Sequence, residues 1–226
     1  THVMEMLAKN LVIASSESYQ ISAQSYVAFD IMDDKILLEK NFTQAQSIAS
    51  ITKLMNAVVA SENIDKNKKI TLTAPMLDSE GSSPSLYSGL TISFTNLLKA
   101  SLIQSVNDAA KSISYFVGKD KFLDLMNQKA KSLGMTDTVY VDVNGLNPQN
   151  KSTAKDLAKL ISYVYKNHPD ILEITKGNDF WLPDKKGRLL KFQNVNNFYY
   201  TPEFMGGKTG YLPKARQNIA SVFNIK

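Results

Sequence analysis

Strand-like sequence lies at both ends of this chain, and helix-like sequence fills the middle. Apolar residues alternate with polar ones from Ser22 to Ile31 and return after an acidic turn at residues 33–34, which predicts a β-hairpin. Helical spacing then dominates from about residue 50 to 168, and strand patterns resume after Pro169. This order predicts an α+β fold, in which an antiparallel sheet is built from both chain ends and a helical lobe is inserted between them.

A chain of 226 residues is long enough to form one large domain with a substantial core. We expect a single domain over residues 1–226, with a sheet lobe at about 20–45 and 170–226 and a helical lobe at about 46–169. A cleft between two such lobes is the expected place for a binding site. Residues 4–15 predict a short helix ahead of the first hairpin.

A hydroxyl and an amine stand three residues apart at the start of the first long helical segment, in Ser50-Ile51-Thr52-Lys53. Residues i and i+3 share one face of a helix, so Ser50 and Lys53 are expected to meet. A lysine that is buried, or lies beside another cation, loses its proton more easily and can serve as a base for a serine. The same spacing recurs at Ser152-Thr153-Ala154-Lys155, where we interpret the serine as a helix N-cap and the lysine as solvent-facing.

The composition excludes several competing kinds of site. The chain has no cysteine and two histidines, which argues against thiol catalysis and a histidine-rich metal site. His168 precedes Pro169 and is interpreted as a helix C-terminal residue, so a Ser-His-Asp triad is disfavoured. The net charge of +5 comes from scattered lysines, which does not indicate a nucleic-acid partner. No apolar run reaches 18 residues, so no transmembrane segment is predicted.

Two further motifs, Ser105-Val106-Asn107 and Lys208-Thr209-Gly210, follow the first along the chain. The former lies at a break between two predicted helices, and the latter lies on a glycine-rich predicted strand. Each motif is weak alone, and Ser61-Glu62-Asn63 matches the pattern of the second. All three in this order, each in a suitable structural setting, form a much more specific signature.

With these motifs the sequence resembles the penicillin-recognising serine hydrolases of the β-lactamase-like superfamily. Within them it is most similar to the D-alanyl-D-alanine carboxypeptidases among the low-molecular-mass penicillin-binding proteins. The resemblance runs from about Ile21 to Phe223. It includes the stretches Ile21–Val27, Ala49–Met55, Leu102–Ala110, Val143–Leu146, Ser152–Ala158 and Gly207–Tyr211.

The resemblance implies a β-lactamase/transpeptidase-like fold, with two departures from the family pattern. The family fold adds one more strand and a C-terminal helix, which this sequence is expected to lack. Val106 stands where the carboxypeptidases usually have glycine, and its side chain is expected to narrow the cleft or to shift the loop that carries Ser105.

The resemblance also implies five catalytic residues. Ser50 is the nucleophile that attacks the carbonyl of the penultimate D-alanine, and Lys53 in its neutral form takes the proton. Ser105 relays that proton to the departing nitrogen, while Asn107 orients Lys53 and hydrogen-bonds the substrate. Lys208 raises the positive potential around Ser105.

Three residues of the last motif are implied to bind substrate: Thr209, Gly210 and Tyr211. Thr209, with Lys208, holds the terminal carboxylate, and Gly210 lets the strand approach the substrate without a Cβ. The backbone N–H groups of Ser50 and Tyr211 form the oxyanion hole. No cofactor and no metal are implied.

The implied substrate is a peptidoglycan stem peptide that ends in D-Ala-D-Ala, and β-lactam antibiotics are expected to acylate the same serine. The expected location is extracytoplasmic, in the periplasm or at the outer face of the bacterial cytoplasmic membrane. The export signal and any membrane anchor are expected to be absent from this chain.

Two alternatives remain open. A serine β-lactamase of the same fold would need a base for rapid deacylation, and neither Glu173 nor Glu203 lies in the Glu-x-x-Leu-Asn context of such a base. A non-catalytic penicillin-binding-protein-like module would retain the motifs by descent without the activity, since a fold does not determine a function.

Overall fold

The computed structural model of the chain describes residues 21–80 and 85–225. The helix predicted over residues 4–15 lies outside the described residues. The described ranges contain six α-helices: α1 (Thr52–Asn63), α2 (Phe94–Ile103), α3 (Asn107–Ser114), α4 (Lys119–Ser132), α5 (Ala154–Asn167) and α6 (Pro169–Lys176). They also contain ten β-strands: β1 (Tyr26–Asp30), β2 (Lys35–Lys40), β3 (Gln46–Ser47), β4 (Lys69–Thr71), β5 (Thr91–Ser93), β6 (Lys151–Ser152), β7 (Phe180–Pro183), β8 (Leu189–Phe192), β9 (Phe204–Leu212) and β10 (Arg216–Phe223).

The described strands pair antiparallel in five two-stranded sheets and do not form one continuous sheet. Strands β1 and β2 form the predicted first hairpin, and β9 pairs with β10 near the other end of the chain. Both chain ends therefore contribute antiparallel strands around a helical middle, and the α+β prediction is confirmed. The two end hairpins are linked through a helix, because α5 packs against both β1 and β10.

Helix α1 lies at the centre of the core. Its first nine residues, Thr52–Ala60, are all buried, so the helix is enclosed on every side and not only along one stripe. Helices α2, α3, α4 and α5 all contact it. This enclosure fixes the start of α1, and it forces the polar side chains there, Lys53 and Asn56, to find partners inside the protein.

None of the helices in the described ranges combines the length and the apolar character needed to cross a membrane.

Residues 139–143 are not the strand that their alternating valines predict. Val139 forms only an isolated bridge with Lys151. The backbone N–H groups of Val141 and Asp142 donate to the side-chain oxygen of Asn150, at 2.8 and 3.1 Å, and not to a neighbouring strand. These N–H groups bond to a side-chain oxygen and not to the backbone of a neighbouring strand, so the segment is a bent loop.

The second serine–lysine pair lies in a different setting from the first. The N-cap of α5 is Thr153, whose hydroxyl accepts from Asp156 N at 3.0 Å, so the predicted cap at Ser152 is wrong by one residue. Ser152 instead belongs to β6, and its buried hydroxyl bonds to that of Thr138. Lys155 is exposed, as predicted, so this serine and lysine do not form a buried pair.

Candidate active site

Ser50 lies in a short 3₁₀ turn, Ala49–Ile51, that runs directly into helix α1. Ala49 holds a φ of 47°, a conformation that residues with a Cβ rarely adopt. Lys53, one turn further on, donates from Nζ to Ser50 Oγ at 2.9 Å. The helix start predicted near Ser50 is confirmed, and the structure brings the hydroxyl and the amine together as the spacing predicts.

The amine of Lys53 is buried and surrounded by acceptors. Besides the serine hydroxyl, Nζ donates to Asn107 Oδ1 at 2.8 Å and to the backbone oxygen of Asn144 at 2.5 Å. Burial holds the pKa of Lys53 well below its ordinary value, the charge of Lys208 lowers it further, and the charge of Asp142 acts in the opposite direction. Such an amine loses its proton more easily than an exposed lysine, and in its neutral form it can accept the proton of the serine.

Ser105 and Lys208 form a second serine–lysine pair. Ser105 lies between α2 and α3 with a φ of 61°, another unusual value for a residue with a Cβ. Lys208, on β9, donates from Nζ to Ser105 Oγ at 2.9 Å and to the backbone oxygen of Thr209 at 2.8 Å. Burial lowers the pKa of Lys208 to about 7, so this amine can exchange a proton near neutral pH.

Val106 does not line the cleft, so its side chain does not narrow it, which was the first of the two effects expected from the sequence. Its side chain is 4% exposed and packs in the hydrophobic core. The next residue, Asn107, begins α3, and its side-chain amide donates to the backbone oxygen of Glu80 at 2.7 Å. That contact orients the Asn107 side chain so that its oxygen faces Lys53.

Strand β9 passes directly beside the backbone of Ser50. A Cβ on Gly210 would stand 2.9 Å from Ser50 N and 3.0 Å from the backbone oxygen of Ile48, so only glycine fits this approach. Thr209, Gly210 and Tyr211 line a cleft of about 1090 Å³ together with Ser50 and Ser105. All eight residues proposed from the motifs therefore lie at this cleft or directly beneath it.

Asp142 supports the site from below, because its side chain holds the Asn144-Gly145 turn, and the motifs did not indicate this role. Its Oδ1 accepts from Gly145 N at 2.6 Å, from Asn144 N at 3.1 Å and from Asn150 Nδ2 at 2.8 Å. The turn held in this way presents the backbone oxygen of Asn144 to Lys53. Asp142 therefore positions an acceptor for the candidate base, although it touches neither serine hydroxyl.

The same turn is joined to helix α1 through Asn150, which is fully buried. Asn150 Nδ2 donates to Thr52 Oγ1 at 3.0 Å as well as to Asp142. The signal was present in the sequence, because an Asp two residues before Asn-Gly is typical of a side-chain-capped turn. The valines at positions 139, 141 and 143 alternate, and that pattern favours a short strand before the Asn144-Gly145 turn instead.

The chemistry available at this cleft is that of hydroxyls and amines. Within the described ranges, no group of three or more histidine, cysteine and carboxylate side chains is placed to hold a metal ion. A hydroxyl beside a neutral buried amine is suited to nucleophilic attack on a carbonyl, with the second pair available for proton transfer.

This chain is similar in sequence to curated D-alanyl-D-alanine peptidases and in structure to solved penicillin-binding proteins. A D-alanyl-D-alanine endopeptidase of Haemophilus influenzae is 34% identical over 223 residues, which cover 96% of this chain and 76% of that protein. A D-alanyl-D-alanine carboxypeptidase of Mycobacterium tuberculosis matches with a TM-score of 0.86 and 27% identity, over 93% of this chain and 81% of that one. Penicillin-binding protein D2 of Listeria monocytogenes, solved with cefotaxime bound, matches with a TM-score of 0.76 and 26% identity, over 93% and 92%.

The chain spans between 52% and 64% of several other curated D-alanyl-D-alanine peptidases that it matches. The family assignment covers nearly the whole chain, because the family model for D-alanyl-D-alanine carboxypeptidases, peptidase family S11, matches residues 11–224. On this ground the chain belongs to the S11 family of D-alanyl-D-alanine carboxypeptidases, which are serine peptidases.

Proposed function

We propose that this chain is a serine-type D-alanyl-D-alanine carboxypeptidase that cleaves peptidoglycan stem peptides through an acyl-enzyme on Ser50. The observation that carries the proposal is the close contact of Ser50 Oγ with the buried amine of Lys53, at 2.9 Å. Membership of the S11 family supports the reaction class. The two lysines carry lowered pKa values because they are buried, which is typical of catalytic groups.

In the first step, Ser50 Oγ attacks the carbonyl carbon of the penultimate D-alanine, and neutral Lys53 takes the hydroxyl proton. Asn107 and the backbone oxygen of Asn144 hold the amine beside the serine, so little reorganisation is needed. Charge develops on the carbonyl oxygen, and the N–H groups of Ser50 and Tyr211 are the proposed donors to it.

In the second step, the carbon–nitrogen bond breaks and the departing D-alanine nitrogen takes up a proton. Ser105 stands in contact with Lys208 and is proposed to deliver this proton from the Lys53 side of the cleft. Lys208 and Thr209 are proposed to bind the terminal carboxylate. Water then hydrolyses the ester on Ser50 and releases the shortened peptide.

The same serine is proposed to be acylated by β-lactams, whose strained amide presents a carbonyl at the same point. The cefotaxime-bound state of the Listeria relative supports this extension. We also propose that residues 1–226 act as one catalytic domain, with a sheet lobe near residues 20–45 and 170–226 and a helical lobe near 46–169. The proposed location is extracytoplasmic, where peptidoglycan lies.

A second candidate function is cleavage within cross-linked peptides. The observation that favours it is the 34% identity to the Haemophilus endopeptidase over 96% of this chain. The two activities share the acyl-enzyme and differ in whether the leaving amine belongs to a free D-alanine or to another peptide. Comparing release from a linear D-Ala-D-Ala peptide with release from a cross-linked peptide dimer distinguishes them.

The carboxypeptidase proposal is tested by release of free D-alanine from a synthetic peptide that ends in D-Ala-D-Ala. We expect multiple turnover by the wild type and loss of turnover in Ser50→Ala, because the variant lacks the hydroxyl that Lys53 contacts at 2.9 Å. Ser61→Ala is the matched control, since it alters the serine of Ser61-Glu62-Asn63, which matches the pattern of the second motif and lies outside the lining of the cleft. Equal activity in Ser50→Ala and the wild type would contradict the proposal.

A further inference from the structure

Backbone strain in the described ranges points to one more residue at the cleft. Five residues other than glycine have a positive φ, and two of these, Asp34 and Asn41, are types that tolerate this conformation. The remaining three are Ala49 and Ser105, described above, and Arg216, with a φ of 54°. Strain of this kind is concentrated at functional sites, and Ala49 and Ser105 both belong to this one.

The conformation of Arg216 is held in place by its neighbours. It is the first residue of β10 and pairs with Leu212 across the turn that follows β9. The side-chain amide of Asn218 donates to the backbone oxygens of Ala215 and Arg216, at 3.1 and 3.3 Å. The turn is therefore fixed by hydrogen bonds in a form that favours glycine, yet an arginine occupies the position.

The charge of Arg216 is unusual for its surroundings. Twenty-three residues line the cleft, and Arg216 is the only one among them that is charged at neutral pH; none is a carboxylate. The ion pairs found among the described residues do not include this arginine. A guanidinium on an otherwise neutral wall is suited to bind a carboxylate of a ligand.

The position of Arg216 assigns that carboxylate to a particular part of the substrate. In the proposed function, the terminal carboxylate lies at Lys208 and Thr209, so the acyl part of the substrate extends past Tyr211 toward the far end of β9. Leu212, the partner of Arg216, is three residues beyond Thr209, which is about 10 Å along a strand. An extended peptide with a long acidic side chain just before its two D-alanines covers a distance of this size.

We propose that Arg216 forms an acyl-side subsite for a carboxylate carried by the residue that precedes D-Ala-D-Ala. The subsite rests on the proposed function, because the direction of the substrate along β9 follows from it. Arg216 sets the preference for an anionic substrate and takes no part in bond breaking. Its contribution falls with rising ionic strength, since the guanidinium is exposed to solvent.

The test compares two nearly isosteric peptides, Nα-acetyl-Glu-D-Ala-D-Ala and Nα-acetyl-Gln-D-Ala-D-Ala, by the ratio of their kcat/KM values for D-alanine release. The expected preference of the wild type for the Glu peptide is about two- to fivefold, the size of a solvent-exposed ion pair. Arg216→Gln is expected to bring the ratio close to one, Arg216→Glu to invert it, and Arg216→Lys to keep most of it. Arg216→Gly is expected to lose the preference while its Tm rises, because glycine relieves the strain.

The outcomes separate this subsite from the proposed function. Cleavage of both peptides with the same ratio in the wild type, Arg216→Gln and Arg216→Glu would overturn the subsite alone. Release of D-alanine from neither peptide by the wild type would overturn the proposed function, and the subsite with it. A fall in the Tm of Arg216→Gly with an unchanged ratio would assign the arginine a structural role and overturn the subsite.

Discussion

Replacing Lys53 by methionine is expected to lower the rate of acylation by about 10²–10⁴-fold, the usual contribution of a general base. Methionine fills similar space but cannot accept the proton of Ser50. The measurement is the rate of labelling by a fluorescent penicillin, followed as a function of pH. In the wild type this rate is expected to rise with pH as Lys53 becomes neutral, and Lys53→Met should lose that rise.

The pH dependence of the stability of Lys53→Met provides a second measurement, and the direction of the change can be predicted. The folded-state pKa of Lys53 is depressed, so between that pKa and about 10.4, its unfolded value, the unfolded chain binds more protons than the folded one. The wild type therefore loses stability as pH falls through this window, and the variant lacks that loss. We therefore expect Lys53→Met to become more stable relative to the wild type as pH decreases, so that its free energy of unfolding increases relative to that of the wild type.

Lys155→Met is the matched control for this variant, because it changes the exposed lysine of the second motif. It should acylate like the wild type and show no change in the pH dependence of stability. If Lys53→Met were labelled as fast as Lys155→Met, Lys53 would not be the base.

Replacing Gly145 by alanine is expected to lower both stability and acylation. Gly145 has a φ of 87°, and a Cβ there would stand 2.1 Å from the backbone oxygen of Ala49 and 3.0 Å from Ser50 N. The left-handed conformation costs an alanine roughly 1–2 kcal/mol, and overpacking adds about 1–3 kcal/mol. The backbone of Ala49 and Ser50 must move to relieve the overlap, which displaces the nucleophile.

Gly187→Ala separates these two effects, because Gly187 has a φ of 78° and a Cβ added there would meet nothing within 4 Å. Chemical denaturation should show a loss of roughly 1–2 kcal/mol for Gly187→Ala, with normal penicillin labelling. Gly145→Ala should lose more stability and also label more slowly. If the two variants lost the same stability, a Cβ at Gly145 would not displace the backbone of Ser50, and this prediction would be contradicted.

The local part of the site could be predicted from the sequence. The contact of Ser50 with Lys53 follows from helical spacing alone, because residues three apart share a face whatever packs around them. The contact of Ser105 with Lys208 spans 103 residues, and nothing in the spacing of the chain brings the two together. Its prediction depended on the resemblance to a family, and the structure places the side chains 2.9 Å apart.

The parts that sequence reasoning missed depend on tertiary hydrogen bonds. The oxygen that Asn144 offers to Lys53 belongs to the backbone, so no residue type marks it. The alternating valines at 139–143 predict a strand, but Asn150 takes the N–H groups that a sheet would need. Ser152 and Thr153 are both suitable caps for α5, and the bond of Ser152 to Thr138 decides between them.

The fold class was predicted correctly from the sequence, but the pairing of the strands was predicted less well. Hairpins at both ends follow from period-two patterns, which are local. Which hairpins join each other depends on contacts distant in sequence, and among the described strands the end hairpins stay separate. The burial of Val106 has a similar origin, since the core and not the cleft receives its side chain.

The central claim is that Ser50 is the nucleophile, and peptide mapping after reaction with penicillin tests it most directly. The wild type is expected to gain the mass of one penicillin molecule, carried by the proteolytic fragment that contains Ser50, and Ser50→Ala should gain none. An adduct on another fragment, or equal labelling of Ser50→Ala and the wild type, would contradict the account.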